Sequence, residues 1–449
     1  MEHANHRPWL SLSCGGGGLL LLLLALLRTN FLAQGTLWDH VVLLILLGLL
    51  ALLAAGLLYL EGVPVRTLCL CLLPIGAAFF LRVLMLDHIT YDYQDFLSQW
   101  AAFFRDNGGF SAVKLPVGNY NAPYLYFMAL ISYFKVPDLY LIKLFSVLFD
   151  VLLAWGGLRL AKTVCKDGSN LPYAVFCALL LLPTVMLNGA YWGQCDSIYA
   201  ALTLHALASG LDRKPVSSVL LLAVAFSFKL QTIFLLPLWC ALWFAKKVKL
   251  RHLALFPVGY FATILPALLL GKPLGDILSV YLDQAGAYPA LTLNAPSVFS
   301  LIPYGATVNE PLLSTLGIAA AFLFVVALLI FLFCLRKRIT NRALITAAVL
   351  LAVGVPLLLP RMHDRYFFLA DVLCVVWVAS SLWRIPQAIG TQIASLGAYH
   401  AYLVLQYAFP MGYGAILLIL VLISGVAVLW RDLFVGGTPA TPEQSAWSL

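Results

Sequence analysis

The chain has very little charge for its length. Of its 449 residues, 10% are Asp, Glu, Lys or Arg and 63% are apolar, whereas soluble domains carry roughly 25% charged residues. A soluble fold could not cover so much apolar surface with so few charges. The shortage of charge therefore excludes a water-soluble protein and predicts an all-α polytopic membrane protein.

Metal-ligand and disulfide patterns are also missing. The nine cysteines are odd in number, lie mostly inside apolar runs and lack metal-ligand spacing, so we expect neither a disulfide framework nor a zinc site. The net charge of +8 comes from Lys and Arg residues spread over short connections, which is not a nucleic-acid-binding pattern. The chain has no internal repeat and no low-complexity linker. We predict no cofactor, no nucleic-acid partner and contact with membrane lipid.

Apolar runs recur at close to the roughly 20 residues that a membrane helix needs, and they predict about 14 transmembrane helices. The runs are 19–32, 41–60, 67–86, 139–160, 171–187, 197–211, 216–228, 233–245, 253–270, 313–335, 343–359, 366–383, 393–409 and 415–429. The predicted divisions are N-terminal membrane helices (1–66), a core module (67–270) with a long first loop (87–137), a second loop (271–312), C-terminal membrane helices (313–435) and a disordered cytoplasmic tail (436–449).

Basic residues indicate which ends of the spans face the cytoplasm. Lys and Arg lie in alternate connections, most densely in KKVKLR (246–251) and RKRITNR (336–342). With every basic connection inside, the spans alternate without contradiction and both termini are cytoplasmic. The remaining connections are the richest in Asp, Asn, Gln, His, Tyr and Trp. We therefore expect a functional site on the extracytoplasmic face of the membrane.

Two carboxylates occur in TYDYQDFLSQW, where the third span leaves the membrane. Asp92 is the candidate general base, which would take a proton from an acceptor hydroxyl, and Asp95 is a candidate for substrate binding. A solvated helix end is one alternative, and a pair of divalent-ion ligands is another. The aromatic residues of this stretch recur at spacings of four, a pattern typical of a helix lying in the membrane interface.

Polar groups beside aromatic side chains suit a sugar, which offers hydroxyls at its edge and C–H groups on its face. Such groups occur in VGNYNAPYLY, NGAYWGQCDS, SFKLQ and the second loop. For the aromatic members, an interfacial aromatic belt is the alternative. The further candidates for substrate binding are Tyr120, Asn121, Trp192, Gln194, Asp196, Gln231 and Gln284.

Positive charge on the expected outer face runs against the charge rule and predicts anion binding. The candidates for binding a donor phosphate are Lys229, Arg361, His363 and Arg365. Arg binds phosphate bidentately, and His hydrogen-bonds it. A side chain that extends to the interface is the alternative for Lys229. Asp150, near the middle of its span, is either a functional carboxylate or the structural partner of a Lys or Arg.

These residues fall in a series of motifs that resembles a known family. In chain order the motifs read DY..FL..W, NYN.PYLY, P.LY.IK..S..FD, WGQ.DSIY, SFKLQ..F..P, Y..Q.G.YP.LTLNAPS and RMH.RYFF..D. The series resembles a bacterial mannosyltransferase family of the GT-C class, related to the second GPI mannosyltransferase. Shorter signatures are similar to those of dolichol-linked glucosyltransferases. The resemblance covers residue 90 to about residue 375.

The resemblance implies a GT-C-like fold, a polyprenyl-phosphate sugar donor and inversion at the anomeric carbon. It also implies an extracytoplasmic active site, in a bacterial plasma membrane. It also implies that Asp92 is the base and that the late motif corresponds to Arg361, His363 and Arg365, with Asp364 where Glu is commoner. We therefore expect an inverting hexosyltransferase using mannose or glucose, whose acceptor is a glycan, lipid or protein. The alternatives are a flippase or transporter of a lipid-linked saccharide and a glycan polymerase. A divalent metal is not excluded.

Overall fold

The computed structural model of the chain describes residues 8–286, 289–303 and 305–434, and the predicted tail at 436–449 lies outside them. The first ten helices are α1 (Pro8–Arg28), α2 (Leu37–Leu60), α3 (Val65–Met85), α4 (Ser98–Asp106), α5 (Ala122–Ile131), α6 (Asp138–Lys162), α7 (Leu171–Leu180), α8 (Pro183–Met186), α9 (Asp196–Leu211) and α10 (Pro215–Phe228). The remainder are α11 (Pro237–Phe244), α12 (Leu250–Leu253), α13 (Leu255–Leu269), α14 (Leu274–Gly286), α15 (Glu310–Cys334), α16 (Asn341–Leu358), α17 (Phe368–Val378), α18 (Ile385–Leu403) and α19 (Met411–Phe434).

The chain is a multi-pass membrane protein. Within the described ranges, eight helices are long and apolar enough to cross a membrane, or nine if the bent pair Leu171–Leu180 and Pro183–Trp192 forms one span. Four further apolar helices are shorter, so the predicted number of about 14 crossings remains a prediction. Each predicted run nevertheless falls on a helix or a pair of helices. The match is poorest at 393–409, because α18 begins eight residues earlier, with a proline in its first turn, and ends at Leu403.

The first loop, 87–137, carries α4 and α5. The aromatic face predicted for the membrane interface is only partly exposed: Phe96 is 45% exposed, whereas Trp100 and Phe104 are buried. Both buried rings belong to the same apolar cluster as Tyr124 and Met128 of α5. This face therefore packs mainly on protein, because α5 folds back over it, and the interfacial prediction is wrong for the two buried rings.

The second loop, 271–312, is more ordered than a plain connection. It contains α14 and the strand β1 (Thr292–Leu293), which pairs in parallel with β2 (Met362–His363). Next to this pair, the Arg361 N–H donates to the carbonyl of Leu291 at 2.8 Å. The pairing fastens the second loop to the late basic motif and fixes the backbone of His363.

Lys143 of α6 caps the end of the helix that leads to Asp92. Its ammonium group donates to the carbonyl oxygens of Met85, Leu86 and His88 at 3.0, 2.9 and 2.6 Å. The last carbonyl groups of a helix have no partner within the helix, and the helix dipole favours a cation there. Lys143 therefore stabilises the end of α3 and holds the start of the first loop in place.

Asp150 was expected to be either a functional carboxylate or the structural partner of a Lys or Arg, and its contacts are those of a structural partner. Its Oδ2 accepts from Nε and Nη2 of Arg82 at 3.0 and 2.9 Å, and its Oδ1 accepts from Ser197 at 2.5 Å. Arg82 also donates to the carbonyl of Leu180, at 2.8 Å. Both charged side chains are almost fully buried. The cluster thus joins α3, α6, α7 and α9 in the membrane part of the protein.

Arg82→Met should destabilise the protein by about 3–5 kcal/mol, because it leaves the Asp150 carboxylate buried without a counter-charge. Adding Asp150→Asn should restore part of the loss, since the amide is neutral. Thermal unfolding in detergent measures both. The matched control is Arg105→Met, which breaks the more exposed pair with Asp138 and should cost at most about 1 kcal/mol. Equal losses at the two sites would contradict the role of the buried pair.

Candidate active site

Four side chains from three distant parts of the chain converge on the carboxylate of Asp92. Its Oδ2 accepts from Nε1 of Trp192 at 2.7 Å, Nε2 of Gln194 at 2.5 Å and Nη1 of Arg365 at 3.1 Å. Its Oδ1 accepts from the hydroxyl of Tyr402 at 2.7 Å. The arrangement holds Asp92 as a positioned carboxylate in a mostly buried setting.

Two π-helical turns adjoin or contain residues of this cluster. Asp92 directly precedes the turn Tyr93–Leu97, and Trp192 ends the turn Leu187–Trp192. Gly193 follows with a φ of +81°, a left-handed conformation that glycine adopts without strain. Single π-turns occur frequently at functional sites. Here one turn follows directly after Asp92, and the other ends at Trp192, two residues before Gln194.

Further hydrogen bonds lock the two turns to each other and to α6. The hydroxyl of Thr90 donates to the carbonyl of Trp192 at 3.1 Å. The hydroxyl of Ser146 in α6 donates to the carbonyl of Gln194 at 2.7 Å. The backbone beside Asp92 and the backbone beside its donors are therefore fixed relative to the same helix.

Trp192 is the structural centre of the cluster. The ring of Tyr402 stacks on it with centroids 4.7 Å apart and an interplanar angle of 18°. The guanidinium of Arg365 lies over the indole at 4.8 Å, and Tyr399 meets it edge-on at 5.3 Å. The buried indole of Trp192 therefore orients two of the other donors to Asp92, Arg365 and Tyr402.

Lys229 lines the site, and its ammonium group forms an ion pair with Asp196. Its ammonium lies 2.5 Å from Oδ1 of Asp196, whose Oδ2 accepts from Asn188 at 2.8 Å. Both members of the ion pair are buried. The ammonium also lies 5.9 Å from the centre of the Tyr120 ring. Asp196 is therefore a buried counter-charge that fixes Lys229.

Two cavities meet at Asp92. The smaller one, called the polar cavity, has a volume of about 130 Å³. The residues that line it and not the other cavity include Trp100, Asn119, Tyr120, Gln194, Lys229, Gln231 and Gln284. The larger one, called the large cavity, has a volume of about 1250 Å³. The residues that line it alone include Asn294, Phe299, Leu301, Asp364, Tyr402, Tyr407, Phe409, Met411 and Ile416. Asp92, Phe96, His363 and Arg365 line both.

The late motif adds two titratable groups with altered pKa values. Burial lowers the pKa of His363 to about 4, and the charge of Arg365 lowers it further. Burial raises the pKa of Asp364 to about 7, although the neighbouring Arg365 opposes this. The Nε of Arg365 lies 3.7 Å from Oδ1 of Asp364, too far for a hydrogen bond. Because its pKa is about 4, His363 is an uncharged hydrogen-bonding group at neutral pH.

Most of the predicted site residues come together. The polar cavity is lined by Asp92, Tyr120, Gln194, Lys229, Gln231, Gln284, His363 and Arg365. Gln284 is held there by a hydrogen bond to the carbonyl of Asn119. Trp192 and Asp196 lie directly behind the lining and hold Asp92 and Lys229. Sequence reasoning thus identified both the cavity wall and part of its support.

Besides Trp192 and Asp196, three predicted residues are absent from the lining of both cavities. Asp95 and Arg361 are exposed, and Arg361 has a left-handed φ of +62°. Asn121 is buried, and its Oδ1 accepts from the N–H of Ala122 at the start of α5, while its Nδ2 donates to the hydroxyl of Tyr260. The amide of Asn121 is therefore already used as a helix cap.

Tyr402 is the donor to Asp92 that sequence reasoning missed. It lies in the middle of the predicted span 393–409, where the hydropathy pattern does not mark it as a site residue. Its contact with Asp92 joins residues 310 positions apart. In the structure α18 ends at Leu403, which places Tyr402 at the end of a helix, next to Asp92.

Comparison with known proteins adds no identification. The sequence matches no protein-family model, and it matches no protein of curated function. The function proposed for this chain is therefore based on the geometry of the site and on the motifs of the sequence.

The raised pKa of Asp364 predicts a pH-dependent stability. The folded state binds this proton more tightly than the unfolded state does, whose carboxyl has a pKa near 3.8. The stabilising contribution is therefore full below about pH 4 and is lost as the pH rises towards 7. Between pH 5 and pH 8, the free energy of unfolding should fall by about 2–3 kcal/mol more for the wild type than for Asp364→Asn.

Unfolding in detergent at several pH values measures this difference. The opposite effect of His363, which destabilises the fold as the pH falls from 6.5 towards 4, is common to both proteins and cancels in the comparison. Parallel curves for the two proteins would contradict the assignment to Asp364.

Proposed function

We propose that the protein is an inverting glycosyltransferase of the GT-C class. It transfers a hexose, mannose or glucose, from a polyprenyl-phosphate donor to an acceptor on the extracytoplasmic face of the bacterial plasma membrane. The observation that carries this proposal is the carboxylate of Asp92, held by four donors at the junction of two cavities. A general base must be within hydrogen-bond reach of the proton that it removes, and this position gives Asp92 access to a ligand in either cavity.

In the proposed reaction, Asp92 removes the proton of an acceptor hydroxyl. The hydroxyl oxygen forms a new bond to the anomeric carbon as the bond from that carbon to the phosphate oxygen breaks. The electron pair of the broken bond leaves on the prenyl phosphate, and the proton stays on Asp92 until water takes it. One displacement inverts the configuration, and the leaving phosphate requires no strong acid.

The polar cavity has the chemistry of a sugar site. The faces of Trp100 and Tyr120 provide apolar surfaces for the C–H groups of a sugar ring, and their centroids lie 5.6 Å apart in an edge-on arrangement. The amides of Gln231 and Gln284 line the same cavity and offer both donors and acceptors. We assign the transferred sugar to this cavity.

The charges around the polar cavity support a donor with a single negative charge. The cations of Lys229 and Arg365 are balanced by the carboxylates of Asp196 and Asp92, and His363 is uncharged at neutral pH. A polyprenyl-phosphate sugar is a phosphodiester with one negative charge, whereas nucleotide and pyrophosphate donors carry at least two. Lys229, His363 and Arg365 are placed to contact the phosphate, and Arg361 is assigned to it by the motif alone.

A flippase or transporter of a lipid-linked saccharide is the alternative function, and a polymerase is a third. The transporter alternative relied on Asp150 as a mid-membrane polar group, and Asp150 is paired with Arg82. A polymerase with a pyrophosphate-linked donor would need more unbalanced positive charge than surrounds the polar cavity. These two observations favour the glycosyltransferase.

Asp92→Asn should lower the rate of sugar transfer by about 10²–10⁴-fold, because an amide cannot accept the proton. The measurement is transfer from a polyprenyl-phosphate hexose by purified protein, followed by mass spectrometry of both lipid and product. Asp106→Asn, the same change at an exposed position of the first loop, is the matched control and should keep full activity. Full transfer by Asp92→Asn would exclude Asp92 as the base.

A further inference from the structure

The donors to the two carboxylate oxygens of Asp92 include one residue from each cavity. Gln194, which donates to Oδ2, lines the polar cavity but not the large one. Tyr402, which donates to Oδ1, lines the large cavity but not the polar one. The other two donors to Oδ2 do not distinguish the cavities, because Arg365 lines both and Trp192 lines neither.

The oxygens also differ in how fully they are used. Oδ2 accepts three hydrogen bonds, from Trp192, Gln194 and Arg365, whereas Oδ1 accepts one, from Tyr402. A carboxylate oxygen has two lone pairs and a carboxylate offers about four acceptor positions. Oδ2 is therefore saturated, and the lone pair that is available to a substrate hydroxyl is on Oδ1.

We propose that Tyr402 is a positioning residue that turns the available lone pair of Asp92 towards the large cavity, so that the acceptor hydroxyl binds in the large cavity. This inference rests on the proposed function and extends it to the acceptor. The sugar donor then occupies the polar cavity, on the opposite side of the carboxylate. That division suits an inverting displacement, in which the attacking oxygen and the leaving phosphate lie on opposite faces of the anomeric carbon.

Tyr402 is itself held firmly. Its ring stacks on the buried ring of Trp192, and it lies one residue before the end of α18. The chain then turns through Leu405, which has a left-handed φ of +57°. The hydroxyl therefore has a fixed direction, set by the same indole that donates to Oδ2.

The large cavity also has room and polar groups for an acceptor. Its volume is roughly ten times that of the polar cavity. Beyond Tyr402 its wall includes the hydroxyl of Tyr407, which donates to Oδ1 of Asn294 at 2.6 Å. These groups lie in the second loop and in the α18–α19 connection, and together with Asp92 they offer an acceptor several hydrogen-bonding contacts.

Tyr402→Phe tests the positioning role, because it removes the hydroxyl and keeps the stacked ring. We expect the kcat of transfer to fall about 10- to 100-fold, while the donor KM stays unchanged. The slow hydrolysis of donor by water should fall less than transfer does, so the ratio of transfer to hydrolysis, which is called the coupling, should also fall. Tyr173→Phe, which removes a hydroxyl that contacts the Glu61 carbonyl and lines neither cavity, is the matched control. Wild-type transfer and coupling in Tyr402→Phe would overturn the inference.

Two bulky substitutions test which ligand enters which cavity. Ala408 and Asn119 are both exposed, and each lines one cavity only, the large and the polar one respectively. Ala408→Trp should raise the acceptor KM at least tenfold and leave the donor KM unchanged. Asn119→Trp should do the reverse. A raised donor KM in Ala408→Trp would instead place the donor in the large cavity and overturn the inference.

Asp92→Asn separates this inference from the proposed function. If Asp92→Asn is inactive and Tyr402→Phe behaves like the wild type, the positioning role fails and the glycosyltransferase stands. If Asp92→Asn transfers sugar at the wild-type rate, the base assignment itself fails. Thermal unfolding is measured for each variant, and a Tyr402→Phe protein of wild-type stability with reduced coupling supports positioning over a loss of fold.

Discussion

The carboxylate of Asp92 and its four donors are the interaction on which the rest of the site depends. Its partners Trp192, Gln194, Arg365 and Tyr402 lie between 100 and 310 residues away in the chain. A charged carboxylate that is largely removed from water requires such compensation. Satisfying it brings together two π-helical turns, the late basic motif and the end of α18. The two cavities are bounded by these same elements.

Buried ion pairs and a buried lysine behind the site hold the helices that carry these residues in fixed positions. Lys229 is matched by Asp196, Arg82 is matched by Asp150, and Lys143 binds the carbonyl groups that end α3. In a membrane, an unpaired charge at these depths would cost several kcal/mol. The buried polar groups therefore fix where the helices stand relative to one another. The polar cavity consequently has little excess charge, which limits the anions that suit it.

The sequence predicts those features of the structure that depend on residues close together in the chain. Long apolar runs become helices because hydropathy acts residue by residue, and polar groups at the ends of those runs identify Gln194, Lys229 and Arg365 as site residues. It is less informative where long-range packing decides. Tyr402 is hidden in an apolar run, and Asn121 is used as a helix cap. The orientation in the membrane and the GT-C architecture remain predictions, because hydropathy and charge bias constrain them without fixing the packing.

The most direct measurement offers the purified protein, in liposomes, a panel of polyprenyl-phosphate hexoses with candidate acceptors. Mass spectrometry follows the donor and the products. We predict release of free prenyl phosphate and a new glycosidic bond of inverted configuration with one member of the panel. Movement of intact labelled lipid across the bilayer, with no change in any glycosidic bond, would contradict it and would favour a transporter.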